Sequence, residues 1–132
     1  MQTAVAIIGT DVYKTELTAR THTVIADEPV DVGGKDLGPR PGDFVRMGLA
    51  SCTAITLRMY ANRKNMDVRQ IKVSVSNGAF DGKTSYKTEI EITGNVSDDQ
   101  KQRLMQIAKL CPVHKVLTNP IEIDTSLLVV GF

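Results

Sequence analysis

The sequence predicts an α+β domain in which helices are grouped against antiparallel sheet, and three observations carry that prediction. Residues 69–76 alternate, with Ile71, Val73 and Val75 on one face and Lys72, Ser74 and Ser76 on the other. A second run alternates as Thr88, Ile90 and Ile92 against Glu89 and Glu91, so the two read as a hairpin with one wet face. From Asp43 to about Asn65 the residues suit one long helix, and its centre, Met47 to Leu57, holds no charged residue. Ser97-Asp98-Asp99-Gln100 is a capping-box pattern, and Leu104, Ile107, Ala108 and Cys111 follow it at helical spacing.

The remaining elements follow in order. Residues 3–8 are apolar and β-branched and read as a strand. Asp11 precedes a second run, Val12 to Ala19, and a third covers Thr21 to Ala26. Residues 27–40 form a loop punctuated by Pro29, Gly33-Gly34, Gly38 and Pro39; its length favours a functional or interface role. Pro41 sits where a helix tolerates proline, in the first turn. The long helix has apolar or small residues on every face, so it is buried all round or covered by a partner subunit. Arg58, Arg63 and Lys64 in its last turns complement its dipole. The segment Asn77 to Gly82 is a turn region. Pro112 breaks the helix before it and starts a short one through Leu117. Ile121, Ile123, Thr125, Leu127 and Val129 share one face of a closing strand. No repeat or linker divides residues 1–132, so one domain is expected.

Composition narrows the function. The chain has 132 residues, 42% of them hydrophobic and 23% charged, which is enough for a packed core and unlike a disordered chain. Sixteen Lys and Arg against 15 Asp and Glu leave a net charge of +1, which gives no footprint for nucleic acid and no polybasic run for a membrane surface. With no Trp, three Tyr and three Phe, a stacking platform for bases is not expected either. The first nine residues lack a positive leader, and no apolar stretch is long enough to cross a bilayer. A cytoplasmic protein is therefore expected, where stable structural disulfides are rare. Two cysteines in such a chain are core residues, metal ligands or redox groups.

Cys52 lies mid-helix, with Gly48, Leu49, Ile55, Thr56 and Met59 on its face. Burial there raises a thiol pKa, so a nucleophilic Cys52 needs a cation from elsewhere. Arg20 and His22, which alternate onto one face of an early strand, are the candidates. The alternative is a small core residue. Cys111 immediately precedes Pro112, which puts it at the N-terminus of the next helix, where backbone N–H groups stabilise a thiolate. Its alternative is packing on the Leu104–Ile107–Ala108 face. Cys111-Pro112-Val113-His114 has ligand-like spacing, but a metal site would need Cys52 and His22 or carboxylates to complete it. Gly33-Gly34-Lys35 is neither a phosphate loop nor a dinucleotide fingerprint, and there is no G-x-S-x-G.

Gly38-Pro39-Arg40-Pro41-Gly42-Asp43-Phe44, then Gly48 through Leu57 around Cys52, resembles the central helix of the OsmC/Ohr family. These are the osmotically inducible and organic hydroperoxide resistance proteins. Cys111-Pro112-Val113-His114-Lys115 resembles the family's second-cysteine motif, and Ala26-Asp27-Glu28-Pro29 through Gly33-Gly34-Lys35 the loop of an OsmC-like branch. The resemblance implies an OsmC-like fold, with antiparallel sheets and a long buried central helix, in an intertwined homodimer. It implies thiol peroxidase chemistry on hydroperoxides. Cys52 attacks and becomes a sulfenic acid, Cys111 resolves it to a disulfide, and a dithiol such as a lipoyl protein reduces that. No metal, haem or flavin is implied. The family places an Arg near the thiolate, which Arg20 matches by position. It also has a Glu that holds the Arg; ten residues before Cys52 this chain has Gly42, with Asp43 next to it. Asp43 and Cys52 would lie about 13–14 Å apart along one helix and on opposite sides, so Asp43 acts through Arg20 or across the dimer. Two other functions stay open: a non-catalytic protein binding an apolar small molecule, and a metal-binding thiol protein.

Overall fold

A computed structural model describes residues 2–131, which form two compact units. The first holds residues up to Gly48 and the segment Val75–Lys87. It contains β1 (Ala4–Ile8), β2 (Thr15–Ala19) and β3 (His22–Ala26), an antiparallel sheet in that order. Ala4 faces Ala19 and Ile8 faces Thr15 across the first pair; Thr15 faces Ala26 and Ala19 faces His22 across the second. Arg20 and Thr21 make the β2–β3 turn, with Arg20 in the left-handed region at φ 55°. The predicted strand face shared by Arg20 and His22 is thus corrected: Arg20 is a turn residue and His22 opens β3. The reason is that the chain reverses within two residues there. The predicted run from Val12 is shorter too, because Val12, at φ 43°, belongs to the preceding turn.

The loop after β3 is tied to itself. Asp27 is buried; its Oδ1 accepts the Glu28 N–H at 2.7 Å and its Oδ2 the Leu37 N–H at 3.1 Å. Burial alone would raise this carboxyl, but the N–H groups of Glu28, Leu37 and Lys35 outweigh it and hold the pKa below 3.8. Gly34 passes so close to Glu28 that a Cβ would lie 1.9 Å from its carbonyl oxygen. The loop then delivers Pro41 to the first position of α1 (Pro41–Arg63). The Arg40 N–H donates to Asp43 Oδ2 at 2.9 Å, half of a capping box. Arg46 pairs with Asp43 one turn on and also donates to Asn77.

The second unit comprises Leu49–Ser74 and Thr88–Phe132, of which residues up to 131 are described. Here α1 buries Leu49, Thr53, Leu57 and Ala61, one residue per turn. The helix is therefore buried along one stripe, with Ile55 and Met59 exposed on another side, and not all round within the chain. It stops in a Schellman motif: Asn65 takes φ 52°, its N–H bonds to Asn62 O, and the Met66 N–H bonds to Ala61 O.

β4 (Asp67–Phe80) and β5 (Lys83–Asn95) pair as a hairpin. The predicted six-residue turn shrinks to Asp81-Gly82, both at positive φ, which is the geometry that lets the strands twist together. Ile71, Ile90, Ile92 and Val96 pack on a core of Leu57, Leu104, Ile107 and Ala108. α2 (Asp98–Ala108) opens with the predicted box, Ser97 Oγ accepting from Gln100 N and Gln100 Oε1 from Ser97 N. α3 (Pro112–Thr118) follows, as the proline spacing requires.

The closing strand is the clearest correction. Residues 119–131 have neither helix nor strand, and Ile123, Leu127, Leu128 and Val129 are all more than 80% exposed. Alternation gives a segment the capacity to pair, but a strand exists only where a second edge supplies its hydrogen bonds.

Candidate functional site

Cys52 and Cys111 come together within the second unit, close enough for each thiol to shift the other's titration, although they stand 59 positions apart in sequence. Both are free thiols. Their settings differ. Cys52 sits next to Thr53 of the buried stripe and stays partly exposed. Cys111 is fully buried and caps α3, its Sγ accepting the His114 N–H at 3.3 Å.

The pair is electrostatically unequal. Burial pushes the Cys52 thiol above 9.0, the neighbouring Cys111 sulfur adds to the rise, and the Val113 N–H and Thr56 hydroxyl oppose it. Burial also works against ionising Cys111, but the neighbouring Cys52 thiol, the His114 N–H, the Thr53 side chain and the Val113 N–H outweigh it and bring it below 9.0. Cys111 is thus the sulfur that ionises first.

The other predicted residues lie in the first unit. Arg20 occupies the β2–β3 turn, and Asp43 the first turn of α1. The Asp43 carboxyl is held below 3.8 by the Arg40 N–H and then by Arg46. Thr56 is on the face the sequence assigns to Cys52, whereas Arg46 and Thr53 are not singled out by the sequence. Arg46 carried a signal, its i,i+3 spacing from Asp43. Thr53 carried another, a hydroxyl on a stripe otherwise filled by Leu49, Leu57 and Ala61. Among the described residues, no group of three or more His, Cys, Asp or Glu is placed to hold a metal ion. No helix among them is long and apolar enough to cross a membrane.

The comparisons agree on the family. No curated protein is significantly similar in sequence. Solved structures match the fold across most of the chain. An OsmC-like protein from Mycoplasma pneumoniae has a TM-score of 0.72 at 19% identity, covering 89% of this chain and 86% of that one. An organic hydroperoxide resistance protein OsmC from Legionella pneumophila has a TM-score of 0.60 at 22% identity, covering 89% of each chain. The organic hydroperoxide resistance protein OhrB of Bacillus subtilis has 0.59 at 19% identity, covering 89% and 90%. At such identities the likeness is one of fold: mixed helix and antiparallel sheet. The family profile for OsmC-like proteins matches residues 33–126, which include α1, both hairpin strands, α2, α3 and both cysteines, and the chain therefore belongs to the OsmC-like protein family.

Proposed function

We propose that this protein is a thiol-dependent peroxidase that reduces organic hydroperoxides. The observation that carries the reading is the unequal thiol pair. Cys52 is partly exposed and Cys111 fully buried, so Cys52 is the sulfur a peroxide can reach. Cys52 gives its thiol proton to solvent. The Cys52 thiolate then attacks one peroxide oxygen and the O–O bond breaks. Cys52 becomes a sulfenic acid, and the alkoxide leaves and takes a proton from solvent as an alcohol. The Cys111 thiolate, its own proton also given to solvent, next attacks Cys52, its S–O bond breaks, and hydroxide leaves and takes a proton from solvent as water. Two thiols are oxidised to one disulfide, and one hydroperoxide is reduced to alcohol and water. An external dithiol restores the pair by exchange.

Ile55 and Met59, one and two turns beyond Cys52, are 55% and 60% exposed, and they favour an alkyl or aryl hydroperoxide over hydrogen peroxide. The same surface supports the second reading, a binder of apolar small molecules. In the peroxidase, Arg20 supplies the charge that holds the Cys52 thiolate, and Asp43 enters through the residues it holds, Arg40 and Arg46. The working form is a homodimer, because the apolar segment 121–130 needs an edge to pair with. A reducing compartment such as the cytoplasm keeps both thiols free and supplies the dithiol.

The test is stoichiometric. One equivalent of cumene hydroperoxide is expected to consume both thiols and give a Cys52–Cys111 disulfide on peptide mass mapping. Cys52→Ser should abolish consumption. Survival of both thiols, or full turnover by Cys52→Ser with a dithiol, overturns the peroxidase. Retention of an apolar ligand in native mass spectrometry, unchanged when both cysteines are replaced, would establish the binder.

A further inference from the structure

The two sulfurs differ in access and in what holds them. Cys52 is partly exposed on α1, whereas Cys111 is 0% exposed. Cys111 is also fastened to α3 twice. Its carbonyl oxygen accepts the Lys115 N–H at 3.2 Å, and its Sγ accepts the His114 N–H at 3.3 Å. The second bond caps a seven-residue helix that has no buried residue of its own. A helix this short depends on its ends, so the cap holds helix and sulfur to one another. A backbone donor already aimed at the sulfur strengthens when the sulfur gains negative charge, and no rearrangement is needed for it. Thiol–disulfide exchange has a direction: a thiolate joins one sulfur and expels the other. Access to the attacked sulfur and the ease with which the other leaves decide that direction.

We propose that a thiol reductant opens the Cys52–Cys111 disulfide at Cys52, and that Cys111 leaves as a thiolate received by the His114 N–H at the start of α3. The inference rests on the reading of Cys52 and Cys111 as a working redox pair. The reductant thiolate bonds to the Cys52 sulfur, the Cys52–Cys111 bond breaks, and its electron pair goes to Cys111. One thiolate has replaced another, and the reductant is held on Cys52 as a mixed disulfide. Attack at Cys111 would need a path through protein that solvent does not reach; attack at Cys52 does not. Leaving-group strength points the same way, because Cys111 titrates below 9.0 and Cys52 above it. His114 is a positioning residue that acts through its backbone, and its imidazole has no part. A second thiol on the reductant then attacks the reductant's own sulfur, closes a ring disulfide and frees Cys52. A monothiol instead stays on Cys52 until the Cys111 thiolate returns and expels it.

The test uses full-length protein oxidised with diamide, so it needs no hydroperoxide. Excess 2-mercaptoethanol is added, the reaction is stopped with acid at short intervals, free thiols are blocked with N-ethylmaleimide, and peptides are mapped by mass. Mixed disulfide on Cys52 with Cys111 blocked as the free thiol is expected to exceed the reverse arrangement by at least about tenfold. Mixed disulfide chiefly on Cys111, or equally on both, overturns the proposal. The cap has its own arm. His114→Pro removes the donor at a first-turn position, where the N–H has no partner within the helix, and is expected to slow opening of the disulfide by about tenfold. His114→Ala keeps the N–H and is expected to open at the parental rate. A parental rate in His114→Pro, or equal slowing in His114→Ala, overturns the part given to the cap. If His114→Pro does not fold, amide exchange at His114 in the unaltered chain replaces it. Exchange is expected to be about tenfold slower in the reduced protein than in the disulfide form, and equal exchange overturns the cap. Protein whose disulfide opens at Cys52 yet which consumes no hydroperoxide overturns the peroxidase and leaves this assignment standing.

Discussion

Cys111 Sγ accepts the backbone N–H of His114 at 3.3 Å, so the thiol itself caps α3. Serine or aspartate normally fills this role with oxygen. A cap made by sulfur couples the start of a helix to the charge and oxidation state of a cysteine.

That coupling predicts a stability profile in alkaline solution under reducing conditions. Cys111 titrates below 9.0, so the stability it contributes is fully present above 9.0 and falls away as pH drops through its folded value. Cys52 titrates above 9.0, so its contribution is present below 9.0 and is lost as pH rises through its folded value. The pair therefore loses its protons in two separated steps. Urea midpoints should rise toward pH 9 in Cys52→Ser and should lack that rise in Cys111→Ser. Identical profiles for the two variants would show that the two sulfurs are not distinguished.

The Asp27 carboxylate binds two stretches of the loop to one point, Glu28 beside it and Leu37 ten residues on. Its pKa lies below 3.8, so the clamp is complete above that pH and weakens as pH falls through the lower folded value. Asp27→Asn replaces one acceptor oxygen with an amide donor facing a backbone N–H. Hydrogen exchange at Glu28 and Leu37 is expected to accelerate by about tenfold at neutral pH in this variant. Unchanged exchange would assign the loop's order to Gly34 and its contact with Glu28 instead.

The exposed segment after α3 predicts association. Leu127 and Val129 are 90% and 83% exposed and share one side of an extended chain. Covering one such side chain is worth about 1.5–3 kcal/mol, or roughly tenfold or more in affinity. Leu127→Lys should weaken self-association by at least about tenfold in sedimentation experiments, with the helical signal retained. A wild-type chain that sediments as a monomer at high concentration refutes the dimer.

Many of the elements were legible because their causes are local. Pro41 at the first helical position, the Ser97–Gln100 box and Pro112 after Cys111 each act within one turn of chain. The hairpin was legible from alternation, but its turn was misplaced. Asn77-Gly78 and Asp81-Gly82 are both turn dipeptides, and only the strand pairing decides between them. Arg20 was misread as a strand residue for a related reason: β propensity does not mark where a short hairpin reverses.

The sequence by itself determined the α+β class, the OsmC-like motifs around Cys52 and Cys111, and the apolar faces that must be covered. Those properties follow from periodicity and from residues a few positions apart. Tertiary structure alone decided that Cys52 and Cys111 come together, that Cys111 is the more acidic, and that it is fully buried while Cys52 stays partly exposed. Each depends on where the chain returns after β4, β5 and α2, and on burial that competes with hydrogen bonding at one sulfur. The place of Cys111 before Pro112 already favours it as the easier thiolate. Only the packed chain adds the burial that denies Cys111 to solvent and leaves Cys52 as the more accessible sulfur.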